Sequence, residues 1–205
     1  MTRVLHILDH SLPLHSGYTF RTRAILKSSQ SAGIEVCGIT GNRHLAQGPP
    51  VETVDGLTFH RTATRLSSPP IIREWQEIEA LRAGIERVAK EWRPDIIHAH
   101  SPALCGMAGL RAARRLGVPF VYEIRAFWED AAVGNGTGSE GSIKYRLTRA
   151  LENRVVAKAD AVFTICNGLR DDLVSRSHDG NKIALSPNGV DLTLFGHPPA
   201  RDETL

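Results

Sequence analysis

The chain has 205 residues, 41% of them apolar and 23% charged, which fits one medium-sized globular domain with a buried core. A formal net charge of +3 is too small to demand a nucleic-acid partner. It suits work on phosphorylated or membrane-associated anionic substrates, and arginine, the main source of positive charge, favours phosphate recognition. No apolar run approaches the ~18 residues of a membrane span, and Met1 to Asp9 lacks a signal-peptide pattern. Cys37, Cys105 and Cys166 stand far apart beside apolar runs. They read as buried thiols in a reducing compartment, not as a disulfide framework or a zinc site.

Short β-branched runs alternate with helical patterns, the mark of a parallel sheet covered by helices. Val4–Leu8 reads as a strand buried on both faces, followed by a loop to Ser16 and a helix from about Gly17 to Ala32. Glu35–Thr40 is a second strand, Gly41–Pro50 a polar loop, and Leu57–Thr62 a third strand after the Asp55-Gly56 turn. Ile78, Leu81, Ile85, Val88 and Trp92 form one face of a helix spanning about Ile72–Trp92, which Pro94 ends. Ile96–Ala99 is a strand, Ala103–Leu116 a helix and Phe120–Ile124 a strand. The glycine-rich run 134–141 reads as a mobile loop. Ser142–Lys158 is a helix with Ile143, Leu147, Leu151 and Val155 four apart, and its basic residues surround it, as on a solvated helix. Ala161–Ile165, Gly168–Ser175 and Ile183–Leu185 complete the pattern as strand, helix and strand. The predicted fold class is α/β, a doubly wound and mostly parallel sheet with helices on both faces. It occupies residues 1–195, with linker composition over 196–205.

Ligands of such sheets bind at the carboxyl ends of strands, beside helix N-termini. Four segments fall there. In Asp9–Thr19, which includes Ser16, Gly17 and Tyr18, the helix N-terminus suits phosphate and Gly17 lets backbone approach a ligand. The other reading is a helix capped by Ser16. No GxGxxG fingerprint is present. In His98–Pro102 the two histidines share a face of the strand. His98 suits hydrogen-bonded packing and His100 the lining of a cleft, while too few further ligands stand near for a metal. In Glu123–Asp130, Arg125 could hold phosphate or polarise a leaving group while Trp128 stacks on a sugar, with Glu123 beside them. The alternative is an internal ion pair from Arg125 to Glu123 or Asp130. In Thr164–Leu169, Asn167 faces the same edge and could cap the next helix.

The glycine loop after the first strand, Pro94-Asp95-Ile96-Ile97-His98-Ala99-His100, Gly117–Tyr122, and Pro187-Asn188-Gly189-Val190-Asp191 with Phe195 occur in that order. Together they resemble the N-terminal domain of retaining glycosyltransferases of family four, which have the GT-B fold. The runs 8–13, 16–21 and 122–130 resemble the bacterial exosortase- and exopolysaccharide-associated subgroup. The resemblance implies hexosyl transfer, with retention, from a nucleotide-sugar donor to a lipid-linked or polysaccharide acceptor; the alternatives are half of a GT-B sugar-nucleotide epimerase and a non-catalytic module that holds a glycan or phosphate. The nucleoside-diphosphate sugar is then a co-substrate, and no metal or other cofactor is required. Gly17 would lie against donor diphosphate or acceptor. Arg125 stands where many relatives place a histidine, and it cannot shuttle a proton as histidine could. Ser16 replaces the first glycine of the usual pair. Asn188, Gly189 and Asp191 would lead into the interdomain hinge. Relatives hold the nucleotide with a basic residue and paired glutamates of a second α/β domain, which this chain lacks. The fragment alone is therefore expected to be inactive. The expected location is cytoplasmic, with peripheral contact at the inner membrane as a secondary expectation.

Overall fold

A computed structural model describes residues 1–45, 48–62, 64, 69–190, 192 and 196. The strands are β1 (Arg3–Leu8), β2 (Glu35–Thr40), β3 (Val51–Val54), β4 (Leu57–Arg61), β5 (Ile96–His100), β6 (Phe120–Ile124), β7 (Ala161–Thr164) and β8 (Ile183–Leu185). The helices are α1 (Gly17–Ser31), α2 (Pro70–Trp92), α3 (Ala103–Leu116), α4 (Trp128–Gly134), α5 (Ile143–Lys158) and α6 (Asn167–Ser175). The strands make one sheet in the order β3-β4-β2-β1-β5-β6-β7-β8. Every neighbouring pair is parallel except β3 with β4.

Alternation along the strands sorts side chains onto two faces. Leu5, Ile7, Ile97, Ala99 and Tyr122 pack beneath α2, α3 and α5, where the stripe Ile78, Leu81, Ile85 and Val88 is buried as the spacing predicts. On the other face α1 sets Leu26 over Leu8, Val36, Leu57 and Phe59. The helical cover is therefore lopsided, with α1 on one face and the α2–α3–α5 layer on the other. The chain leaves β1 toward one face and enters β5 from the other, so the carboxyl ends of these two strands border a crevice at the switch point.

Several expectations change. Val51–Val54 adds an antiparallel strand to the predicted single strand, turning through Asp55 (φ 52°) and Gly56 (φ 68°). Both left-handed positions suit a tight hairpin. Residues 128–133, assigned to no helix in the sequence, begin α4, whose end takes in Gly134. The glycine-rich run behind it winds back, with Thr137 N and Gly138 N each donating to Ala132 O at 2.9 Å. On α5, Ile143 is 78% and Leu147 55% exposed, whereas Val155 is fully buried. Steps of four residues overshoot a helical turn by ~40°, so such a stripe drifts out of the core. Cys37 and Cys105 are buried but Cys166 is exposed, because β7 ends before it. Asn167 does not cap α6. Cys166 holds the cap position without a side-chain bond, and Asn167 is the first helical residue. Asp191, Phe195 and the expected linker beyond Gly196 lie outside the described residues.

Candidate functional site

The crevice is built on the first turn of α1. Ser16 has extended backbone and its hydroxyl accepts from Thr19 N at 3.1 Å, which fixes the helix start. His10 lies against Ser16 at 2.8 Å and against Asp9 at 3.0 Å, bracing the loop that leaves β1. Gly17 is exposed, has no left-handed φ, and a Cβ there would meet nothing within 4 Å. Neither strain nor crowding inside the chain calls for glycine at this position. Tyr18 is wedged inward. Its hydroxyl accepts from Asp9 N at 3.1 Å, and the Arg125 guanidinium lies 4.3 Å from its ring centroid.

Arg125 is the centre of a buried network, with a side chain only 9% exposed. It donates to Glu123 at 2.9 Å, to Tyr18 O and Thr22 Oγ1 at 2.9 Å each, and to His100 Nδ1 at 2.7 Å. A second arginine, Arg21, joins the same carboxylate at 3.1 Å. Its other bonds run to Ser186 O at 2.6 Å, Ser186 Oγ at 3.1 Å, Pro187 O at 3.0 Å and Asn188 Oδ1 at 2.9 Å. All five of its N–H groups are thus used. Arg21 ties α1 to the segment that follows β8. Burial alone would raise Glu123, but the charge of the Arg125 guanidinium beside it holds it well below the usual carboxylate range. The network is therefore anchored by a carboxylate that stays charged between two guanidinium groups.

Beneath it, His6 of β1 stands in register with His98 of β5, and His100 is on the same face. Ligand atoms of these three lie within 4.8 Å of one another, the one grouping of its kind among the described residues. The hydrogen bonds assign the protons. An arginine can only donate, so His100 Nδ1 is the acceptor and His100 Nε2 carries the proton that bonds His6 Nδ1 at 2.9 Å. His6 Nε2 then carries a proton as well. A metal ion needs a lone pair there, and two guanidinium groups close by oppose a further cation. Burial first, and neighbouring histidines second, lower His6 and bring His98 to about 3, so these rings are neutral and serve as packing.

Of the residues singled out in the sequence, Ser16, Tyr18, His100, Glu123 and Arg125 come together. Gly17 borders the same crevice from the open side. His100 and Glu123 lie under the surface, bonded to the arginines above them. Trp128, 39% exposed, starts α4, and Asn167 is exposed at the start of α6. Asn188 and Gly189 are exposed, and Asn188 is tied in by Arg21. Sequence reasoning missed Arg21, Thr22 and His6. A signal existed, since Tyr18, Arg21 and Thr22 share one side of a helix that starts at the crevice, and His6 interrupts an apolar strand.

Residues 16–189 match the glycosyl transferase 4-like domain. The GDP-mannose-dependent alpha-mannosyltransferase of Mycolicibacterium smegmatis is 30% identical over 208 residues, 99% of this chain and 52% of its own. The sucrose-phosphate synthase of Thermosynechococcus elongatus superposes with a TM-score of 0.70 at 16% identity, over 95% of this chain and 50% of that one. The catalytic domain of starch synthase IV from Arabidopsis thaliana, bound to ADP and acarbose, gives 0.62 at 17% identity over 100% and 54%. Fold and crevice define the class as the Rossmann-like N-terminal domain of a GT-B glycosyltransferase. The chain belongs to the glycosyl transferase 4-like family, among the group 1 enzymes. It spans about half the length of the mannosyltransferase relatives it matches, 52% and 51%.

Proposed function

We propose that the chain supplies the acceptor side of a cleft that transfers a hexosyl group, with retention, from a nucleoside-diphosphate sugar to a lipid-linked or polysaccharide acceptor in bacterial exopolysaccharide synthesis. The observation that carries this reading is the open mouth of α1. A helix N-terminus faces the crevice, and Gly17 has room for a side chain yet bears none. That suits backbone N–H groups meeting diphosphate or sugar oxygens at close range. Arg125, Glu123 and His100 then act as positioning residues that hold the first turn of α1, while Trp128 and Asn167 flank the bound sugar. Charge on the departing diphosphate is met by amides and by cations of a second α/β domain, without a metal. The named donor of the mannosyltransferase relative makes GDP-mannose the first donor to assay. On this reading the protein works at the cytoplasmic side of the inner membrane in peripheral contact with it. No helix among the described residues is long and apolar enough to cross a membrane.

The test is a transfer assay on this chain alone and on the same chain joined to a second α/β domain. The joined protein should transfer, and Gly17→Val should lower its rate at least about tenfold with the melting temperature unchanged. The isolated chain should bind donor weakly and transfer nothing. Robust transfer by the 205 residues alone would overturn this division of labour, and full activity in Gly17→Val would remove α1 from the donor or acceptor site.

A further inference from the structure

The helical layer, on the sheet face opposite the Arg125 network, carries a second feature that the glycosyl-transfer reading leaves unused. A groove of about 520 Å³ runs between α2, α3 and α5. Its walls present five cations, Arg111, Arg114 and Arg115 from α3 and Arg154 and Lys158 from α5, against one carboxylate, Glu79 of α2. That carboxylate is already taken, since Glu79 bonds both Arg82 and Arg111. Arg115 reaches Glu86 at 3.4 Å. Arg114, Arg154 and Lys158 have no carboxylate partner among the described residues, and the one side-chain bond among them runs from Arg114 to Lys158 O at 2.7 Å.

Part of this charge has an ordinary cause. Arg114, Arg115 and Lys158 lie in the last turns of their helices, where cations offset the negative end of the dipole. Arg111 and Arg154 stand a turn earlier and gain little from it. Because α3 and α5 run side by side in the same direction, their cation-bearing last turns meet in one groove, where like charges repel. An anion between them reverses that sign. Four of the five cations are arginines, whose planar forks match phosphate oxygens in pairs. The floor is formed by Met107 and Leu110, apolar atoms suited to the carbon skeleton that carries the phosphate. The volume is that of a small-ligand site.

We propose that this groove binds a phosphate ester, its phosphate held by Arg114, Arg154 and Lys158 and its carbon skeleton resting on Met107 and Leu110. The ester is either a soluble sugar phosphate or diphosphate, or the headgroup of an anionic phospholipid. Two probes separate these sources. One is calorimetric titration with inorganic pyrophosphate. The other is cosedimentation with phosphatidylcholine vesicles made with and without phosphatidylglycerol. Saturable one-to-one pyrophosphate binding supports the soluble ligand, and cosedimentation that requires phosphatidylglycerol supports the lipid.

In either case the triple variant Arg114→Ala, Arg154→Ala, Lys158→Ala should weaken binding at least about tenfold, the loss of one charge-assisted contact or more. The single variant Arg154→Glu, at an exposed position without an ion-pair partner among the described residues, should weaken it as well and guards against a folding defect in the triple. Lys144→Ala with Arg146→Ala, exposed on α5 outside the groove, should leave binding unchanged. Absence of binding to both probes, binding unaffected in the triple variant, or an equal loss in the Lys144/Arg146 control would each overturn the proposal.

Discussion

Arg21 shows how much of this site rests on single side chains. Its side chain is 12% exposed, and its five donors reach β6 and three successive residues beyond β8. Removing one partner of a buried, hydrogen-bonded ion pair costs about 3–5 kcal/mol, because the other charge is left uncompensated. Here Arg125 still faces Glu123, so Arg21→Ala should fall at the low end, about 3 kcal/mol in urea denaturation. Arg21→Lys should recover little, since an ammonium cannot span Glu123, Ser186 and Asn188 at once. Amide exchange over residues 186–190 should rise in both variants. Unchanged exchange there would mean that the clamp is ornamental. The same residue marks a limit of sequence reading. Arg21 sits on a helix whose polar positions look solvated, and its partners lie 102 and 165 positions away. Arg125 was legible because a charged residue at the end of a buried strand is costly unless paired or used. Which of those two applied was not, since the pairing depends on α1 crossing the end of the sheet.

At the scale of elements, contact between α3 and the sheet depends on two glycines. A Cβ at Gly106 would stand 2.8 Å from both Tyr122 Cε2 and Val155 Cγ1, and one at Gly109 2.9 Å from Phe120 Cε2. Those neighbours are buried ring and β-branched atoms with little room to yield. Alanine improves helix propensity by ~1 kcal/mol, but overpacking costs about 1–3 kcal/mol. Gly106→Ala should therefore lower the melting temperature despite the better helix former. Gly17→Ala, with open space around it, should change stability by less than about 0.5 kcal/mol. Equal effects of the two alanines would refute this account of α3. Long periodic elements such as α2 and fully apolar strands such as β1 and β6 were legible because burial and spacing agree along their length. β3 and α4 were not. Val51–Val54 is a half-exposed edge strand without a buried face to reveal its period, and α4 starts on Trp128 without a side-chain cap. The stripe on α5 misled for the opposite reason, an apolar spacing that only the second half of the helix buries.

For the molecule as a whole, the two faces of the sheet place opposite demands on pH. On the α1 face, His6, His98 and His100 are held neutral, with Glu123, Arg125 and Arg21 as their charged neighbours. Their folded values lie below the unfolded value near 6.5. The unfolded chain therefore gains protons first as pH falls, and stability declines from about pH 6.5 downward. On the helical face, burial raises Glu152 to about 8, with the Glu129 carboxylate adding to it and Tyr122 and Arg176 opposing. Here the native state keeps a proton that the unfolded chain releases above about pH 4.5, so this contribution falls as pH rises through about 8. Between about 4.5 and 6.5 the two slopes oppose each other. From 6.5 to 8 Glu152 contributes a falling slope of up to about 2 kcal/mol, while His6, His44, His60, His98, His100 and His178, all lowered in the fold, contribute a rise as the unfolded chain sheds their protons. Urea midpoints of the native protein should therefore fall across that window relative to those of Glu152→Gln, which keeps the shape without the ionisation and shows the histidine slope alone. Below pH 4.5 the two proteins should lose stability in parallel, because the histidines and Glu123 are common to both. Parallel curves from 6.5 to 8 would mean that Glu152 is ionised in the fold, and its carboxylate would then need a cation that Arg176, already shared by Glu129 and Asp172, does not provide.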